Sequence, residues 1–160
     1  MSVDQRILAM MNFQFLLEVQ GGNNFAFQEL TPPEIELPEI MQGAPYGESD
    51  IKLPGKPKFS TMTLMKIKPF DVPDNWILDW MAQAVINPIA SRRTAFIREL
   101  APGGLDVVQT WYIGEMWPQK RAGINYISTG DGEKLMEEVT FSVRSYYPQN
   151  SPGWNLIFGL

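Results

Sequence analysis

The chain has 160 residues, 13 basic against 18 acidic side chains for a formal net charge of −5, and neither histidine nor cysteine. That removes the commonest acid, base, nucleophile and metal-ligand groups as well as disulfides, and the acidic balance works against binding that depends on neutralising phosphates. With 44% hydrophobic and 19% charged residues, the composition is that of one globular domain able to bury about 70% of its unfolded surface.

Near the N-terminus, Ile7 to Met11 is a short apolar run preceded by Asp4 and Arg6, which does not read as a signal peptide. No run approaches the roughly 18 apolar residues of a membrane span. The expectation is a soluble protein made in a cytoplasm, with no membrane association.

Asn12 to Gln20 is the first strand, with Phe13, Phe15, Leu17 and Val19 at a period of two. Gly21 to Asn24 reads as a turn, because glycine and asparagine tolerate positive φ. Phe25 to Leu30 then completes an expected hairpin. Thr31-Pro32-Pro33 interrupts it, and Glu34 to Leu37 is an expected edge strand. From Glu39 to Lys58 the chain is rich in proline and glycine. A stretch that long has two readings, a surface loop or an arm that orders against a neighbouring subunit.

Ser60 to Lys68 is a further strand. Asp71-Val72-Pro73-Asp74 carries the cap, proline and acid of a helix start. Trp76, Ile77, Trp80, Met81, Ala84 and Val85 make one apolar helical stripe, ended by Asn87-Pro88. This is the one helix expected, lying against a sheet or closing the end of a barrel. Strands follow at Arg93 to Leu100, Val107 to Trp117 and Glu137 to Tyr147, with turns at Ala101 to Gly104 and Thr129 to Gly132. The last residues, 148–160, form an apolar arm, and exposed apolar termini usually dock on something.

No motif supports catalysis. Gly130-Asp131-Gly132 lacks the following helix of a phosphate cradle and the oxygen count of a calcium loop. Glu137 and Glu138 point to opposite faces of a strand, and Glu34 and Glu36 sit beside prolines, so these carboxylates are read as surface charge. The basic pairs Lys56/Lys58, Arg92/Arg93 and Lys120/Arg121 are read as solvated faces or inter-subunit salt-bridge partners. Trp76, Trp80, Trp111 and Trp117 are accounted for by burial, with a ligand-binding aromatic platform as the sharper alternative. Trp154, in the arm, points to a partner surface.

Several motifs occur in a familiar order: Phe13-Gln14-Phe15, Phe27-Gln28-Glu29-Leu30, Leu53-Pro54-Gly55-Lys56, Met62-Thr63-Leu64-Met65-Lys66, the helix with Trp76 and Trp80, Arg92-Arg93, Trp117-Pro118-Gln119-Lys120, and Glu138-Val139-Thr140-Phe141. From about Asn12 to Tyr147 the chain resembles the tail tube proteins of contractile phages and related injection machines. It departs from them in the proline-rich insert before Leu53 and in the tail beyond Tyr147.

The resemblance implies a mainly β fold, a small antiparallel β-barrel or sandwich with one flanking helix. It implies one domain over 1–147, an extended loop at about 39–58 and a C-terminal arm at 148–160. Six copies would form a ring, and rings would stack into a hollow conduit for genome ejection, within the virion. The partners implied are other copies of the chain, a tail sheath, a tape measure, and baseplate or terminator proteins. Viral DNA would pass without specific binding, and no cofactor or metal is implied. Leu53, Pro54, Gly55, Lys56, Trp154 and Phe158 are candidate inter-subunit contacts. Glu18, Glu29, Glu99, Glu115 and Glu138 are candidate acidic residues of the channel wall. Two alternatives stand: a tube subunit of a type VI secretion or pyocin-like system, and a monomeric ligand-binding β-barrel.

Overall fold

Alternation of apolar and polar side chains drives most of the described chain into antiparallel strands. The computed structural model describes residues 15–21, 27–43, 50–67, 75–101, 106–122 and 136–158. The expected helix start at 71–74 and the turns at 102–104 and 129–132 lie outside them, as do Phe13 and Phe25. The elements are β1 (Phe15–Val19), β2 (Phe27–Thr31), β3 (Ile35–Glu36), β4 (Glu39–Gln42), β5 (Ile51–Pro54), β6 (Lys58–Phe59), β7 (Met62–Ile67), α1 (Trp76–Ile86), β8 (Arg93–Leu100), β9 (Val107–Arg121), β10 (Met136–Ser142), β11 (Ser145–Pro148) and α2 (Pro152–Phe158).

One large sheet runs in the order β1-β8-β9-β10-β7-β2, with β11 also paired to β9. The expected hairpin between the first two strands is corrected here. β1 pairs with β8 and β2 with β7, which places β1 and β2 at the two ends of an open sheet. The β1–β8 register sets Leu17 opposite Ile97 and Val19 opposite Ala95, all four buried. Burial of a shared apolar face selects this long-range pairing over the local one that a turn signal suggests.

β9 organises the fold. Its first part pairs with β8 and β11, and its last part with β10. Between them Glu115 adopts φ 48°. The burial phase changes there, from Ile113 before the bend to Met116 and Pro118 after it. Pro118, which has no N–H to give a ladder, sits where the register with β10 shifts. The same bend divides the expected single strand from Glu137 to Tyr147 into β10 and β11. The Arg144 N–H between them donates to the Gly114 carbonyl at 3.2 Å.

The core joins Leu17, Ala95, Ile97 and Ile113 from one half of the sheet to Met62, Leu64, Val139 and Phe141 from the other. α1 adds Ile77 and Trp80, with Trp76 and Met81 partly buried against the same cluster. The Trp80 indole N–H donates to the Ser91 carbonyl at 2.7 Å, and its ring lies 5.6 Å from that of Phe141. Arg93 stacks its guanidinium 4.8 Å from the Trp80 ring, so this arginine is a packing group rather than a solvated charge. The apolar stripe of α1 is shorter than its spacing suggests, since Val85 is 82% exposed.

Two further corrections concern burial and helix count. Glu137 is buried and ion-paired with Arg121, not surface charge, because its strand position faces the same side as Val139 and Phe141. The C-terminal arm contains a second helix, α2, opened by Pro152 in its first turn.

Candidate functional site

The proline-rich segment expected as a loop or arm is a paired ribbon. Its base is closed by the Ser60 N–H donating to the Glu34 carbonyl at 3.1 Å and the Glu34 N–H to Ser60 Oγ at 2.7 Å. Ile35 then faces Phe59 and Glu36 faces Lys58. Farther out, β4 and β5 pair from Glu39/Pro54 to Gln42/Ile51. The two stretches are linked where the Gly55 N–H donates to the Pro38 carbonyl at 2.6 Å. A Cβ at Gly55 would stand 2.9 Å from that carbonyl oxygen, so only glycine fits without backbone movement.

Register gives the ribbon two unlike faces. Ile40 and Leu53 are opposite one another, and Ile51 follows on the same face. All three are exposed, at 53%, 43% and 54%. The other face carries the Lys52–Glu39 ion pair at 3.5 Å. Every residue of β4 and β5 is exposed, and an isolated two-stranded ribbon is marginal in water. Leu53, Pro54, Gly55 and Lys56 therefore share one element. Ile40 and Ile51 belong with Leu53, and the signal for them was the period of two on either side of the segment.

Trp154 and Phe158 are placed otherwise than an arm without a local core would place them. Phe158 stacks on Tyr147 at 4.7 Å and 11°, and Trp154 stacks with Phe158 at 6.0 Å and 13°. Both rings also meet Phe59, at 6.4 and 6.1 Å. The exposed apolar groups of α2 are instead Leu156 and Ile157.

The acidic candidates fall into different surroundings. Glu29 and Glu138 both stand opposite Met65, on β2 and β10, so they flank one residue on the sheet face away from the core. Both are exposed. Glu18 is on the non-core face of β1 and pairs with Arg98. Glu99 is on the core-facing side of β8, near its end, and accepts from the Trp111 indole N–H at 2.9 Å. Glu115 accepts from Arg144 at 2.6 Å and Arg92 at 3.4 Å. The hydrogen bond from Arg144 holds its carboxyl below the usual range. Burial, and then the charge of Glu99, push the Tyr146 hydroxyl up to about 12.

Among the described residues, no group of acidic side chains has the geometry to hold a metal ion, and no helix is long and apolar enough to cross a membrane. What the described residues present is a set of exposed surfaces. The profile of the T4-like virus tail tube protein gp19 family matches residues 11–146. The chain belongs to this tail tube family. Its fold is similar to a chain of the sheath–tube complex of an extracellular contractile injection system, with TM-score 0.71, 17% identity, and coverage of 93% of this chain and 98% of that one. It is also similar to a chain of the anti-feeding prophage tube-terminating cap, with TM-score 0.72, 16% identity, and coverage of 88% and 90%. Hcp1 from Flavobacterium johnsoniae matches with TM-score 0.56, 11% identity, and coverage of 86% and 95%. No curated protein matches the sequence. Tail tube proteins of this family are structural, which agrees with a chain whose notable groups are apolar and exposed.

Proposed function

We propose that this tail tube protein assembles as hexameric rings stacked into a hollow tube that conducts a phage genome during ejection. The observation that carries this reading is the ribbon, with an apolar face of Ile40, Ile51 and Leu53 left exposed among the described residues. Burial of such side chains is worth about 1.5–3 kcal/mol each, and a ring repeats the contact at every subunit. Leu53, Pro54, Gly55 and Lys56 are the ribbon's share of the inter-subunit contact. From the arm, Leu156 and Ile157 face outward, while Trp154 and Phe158 shape the surface from beneath.

The sheath–tube complex and the terminating cap among the similar structures support a sheath around the tube and a terminator at its end. The same two structures favour a second reading, an injection-system tube that carries no genome. A tape measure and a baseplate complete the proposed partners. The channel wall is assigned to the face bearing Glu29 and Glu138, whose charge repels passing DNA and keeps it from adhering. A map of the assembled tube with these two carboxylates outside the channel would remove that assignment.

The test is a double variant, Ile40→Asp with Leu53→Asp, which places two charges on the apolar face. The expected result is a folded subunit, judged by near-ultraviolet circular dichroism, that no longer sediments as rings or tubes. Tubes of normal length from the variant would refute the ribbon's role.

A further inference from the structure

Four aromatic rings from three separated parts of the chain meet at the base of the ribbon. Phe59 belongs to β6, Tyr147 to β11, and Trp154 and Phe158 to α2. α2 is anchored at its start by the Ser151 N–H donating to the Pro148 carbonyl at 3.3 Å, and its first turn by Asn155 to Ser151 at 2.9 Å. It has no buried residue of its own. Seven residues of helix do not persist in water on propensity alone. The ring contacts are therefore what hold α2 in place, and through Phe59 they reach the strand that carries the ribbon.

One member of the cluster opposes closure. Tyr147 is 1% exposed, with its ring beneath Phe158, and its hydroxyl is buried with no hydrogen-bond partner among the described residues. A hydroxyl in that state has lost its water and gained nothing in return. Opening α2 would rehydrate it. Stacking favours the closed arrangement and the stranded hydroxyl favours the open one.

We infer that α2 is a clasp on the ribbon, a helix closed over Phe59 and Tyr147 that fixes the pose of the arm before assembly and is poised to open. This rests on the ribbon's assignment as the inter-subunit arm only for its consequence in assembly. The clasp itself is a property of the single subunit.

Hydrogen exchange on the full chain, at dilutions where it remains unassembled, separates the two. Phe158→Ala removes the ring that touches the other three. Amides of α2 and of the ribbon base, Ile35, Glu36, Lys58 and Phe59, then exchange about 10-fold faster, the size expected for loss of a few aromatic contacts. Amides of β8 and β9 keep their protection. Tyr147→Phe keeps the ring and deletes the stranded hydroxyl, and it slows exchange of the same amides severalfold. Faster exchange in α2 with an unchanged ribbon base in Phe158→Ala would overturn the clasp. If Phe158→Ala loosens β8 and β9 as well, Tyr147→Phe decides: slower exchange at the ribbon base supports the clasp, and unchanged exchange overturns it. Tube formation, scored separately by electron microscopy, tests the arm and not the clasp.

Discussion

Glu115 occupies left-handed backbone at φ 48°, which costs a non-glycine residue about 1–2 kcal/mol. Its carboxylate recovers part of that by bridging Arg144 and Arg92, drawn from the β10–β11 junction and from the segment after α1. The hydrogen bond with Arg144 lowers its pKa below the ordinary value of 4.5. A carboxyl depressed in the folded state contributes stability that is present above the unfolded pKa and lost as pH falls through the folded one. Glu115→Gln should therefore lower the urea midpoint at pH 7, and the gap from wild type should narrow as pH falls below the ordinary carboxyl value and through the lowered one. A gap that stays equal across that range would mean that the ion pairs contribute nothing. None of this was legible in the sequence. Glu115 reads there as one carboxylate of a strand, and the arginines that claim it are 23 and 29 positions away.

Strands with a steady period of two were legible. β8 spans Arg93–Leu100 as its alternation predicts, and β7 lies within the expected run. Pairing was less so, because a turn signal identifies the nearest partner while β1 and β2 find theirs through buried neighbours far along the chain. The bend of β9 was hidden for a related reason: continuous strand propensity on both sides of Glu115 gives no sign that the buried face changes. Gly114 marks the place. A Cβ there would overlap Ser145 Oγ and come within 3.0 Å of Tyr112 Cε1, where β11 pairs with β9 and Ser145 stands opposite Gly114. Gly114→Ala should cost about 1–3 kcal/mol, and Ser145→Ala added to it should recover part of that loss. Purely additive effects of the two substitutions in denaturant titrations would show that this pair of positions has room to spare. α2 was missed because seven residues with no charge pattern read as a tail, and only its ring contacts with Phe59 and Tyr147 reveal what they do.

At the scale of the whole molecule, exposed apolar groups among the described residues include the ribbon with Ile40, Ile51 and Leu53, the end of α1 with Val85, Ile86 and Ile89, the start of β9 with Val107 and Val108, and the outer side of α2 with Leu156 and Ile157. The two end strands of the sheet, β1 and β2, are also unpaired on one side among the described residues. A chain left in this state invites disordered association, and a closed ring of copies is the ordered alternative. The order of motifs from Phe13 to Phe141 made the family legible, and the match over residues 11–146 shows it. What the motifs leave open is how copies meet, since that depends on faces that exist only once the ribbon and α2 have folded.

Closing a ring and stacking it is the role proposed for these surfaces. Negative-stain electron microscopy of the purified protein, with sizing of the same sample, tests it most directly. Six-fold rings or hollow tubes that grow with concentration are the predicted result. A single folded subunit at every concentration, with and without a baseplate extract to nucleate growth, would contradict it.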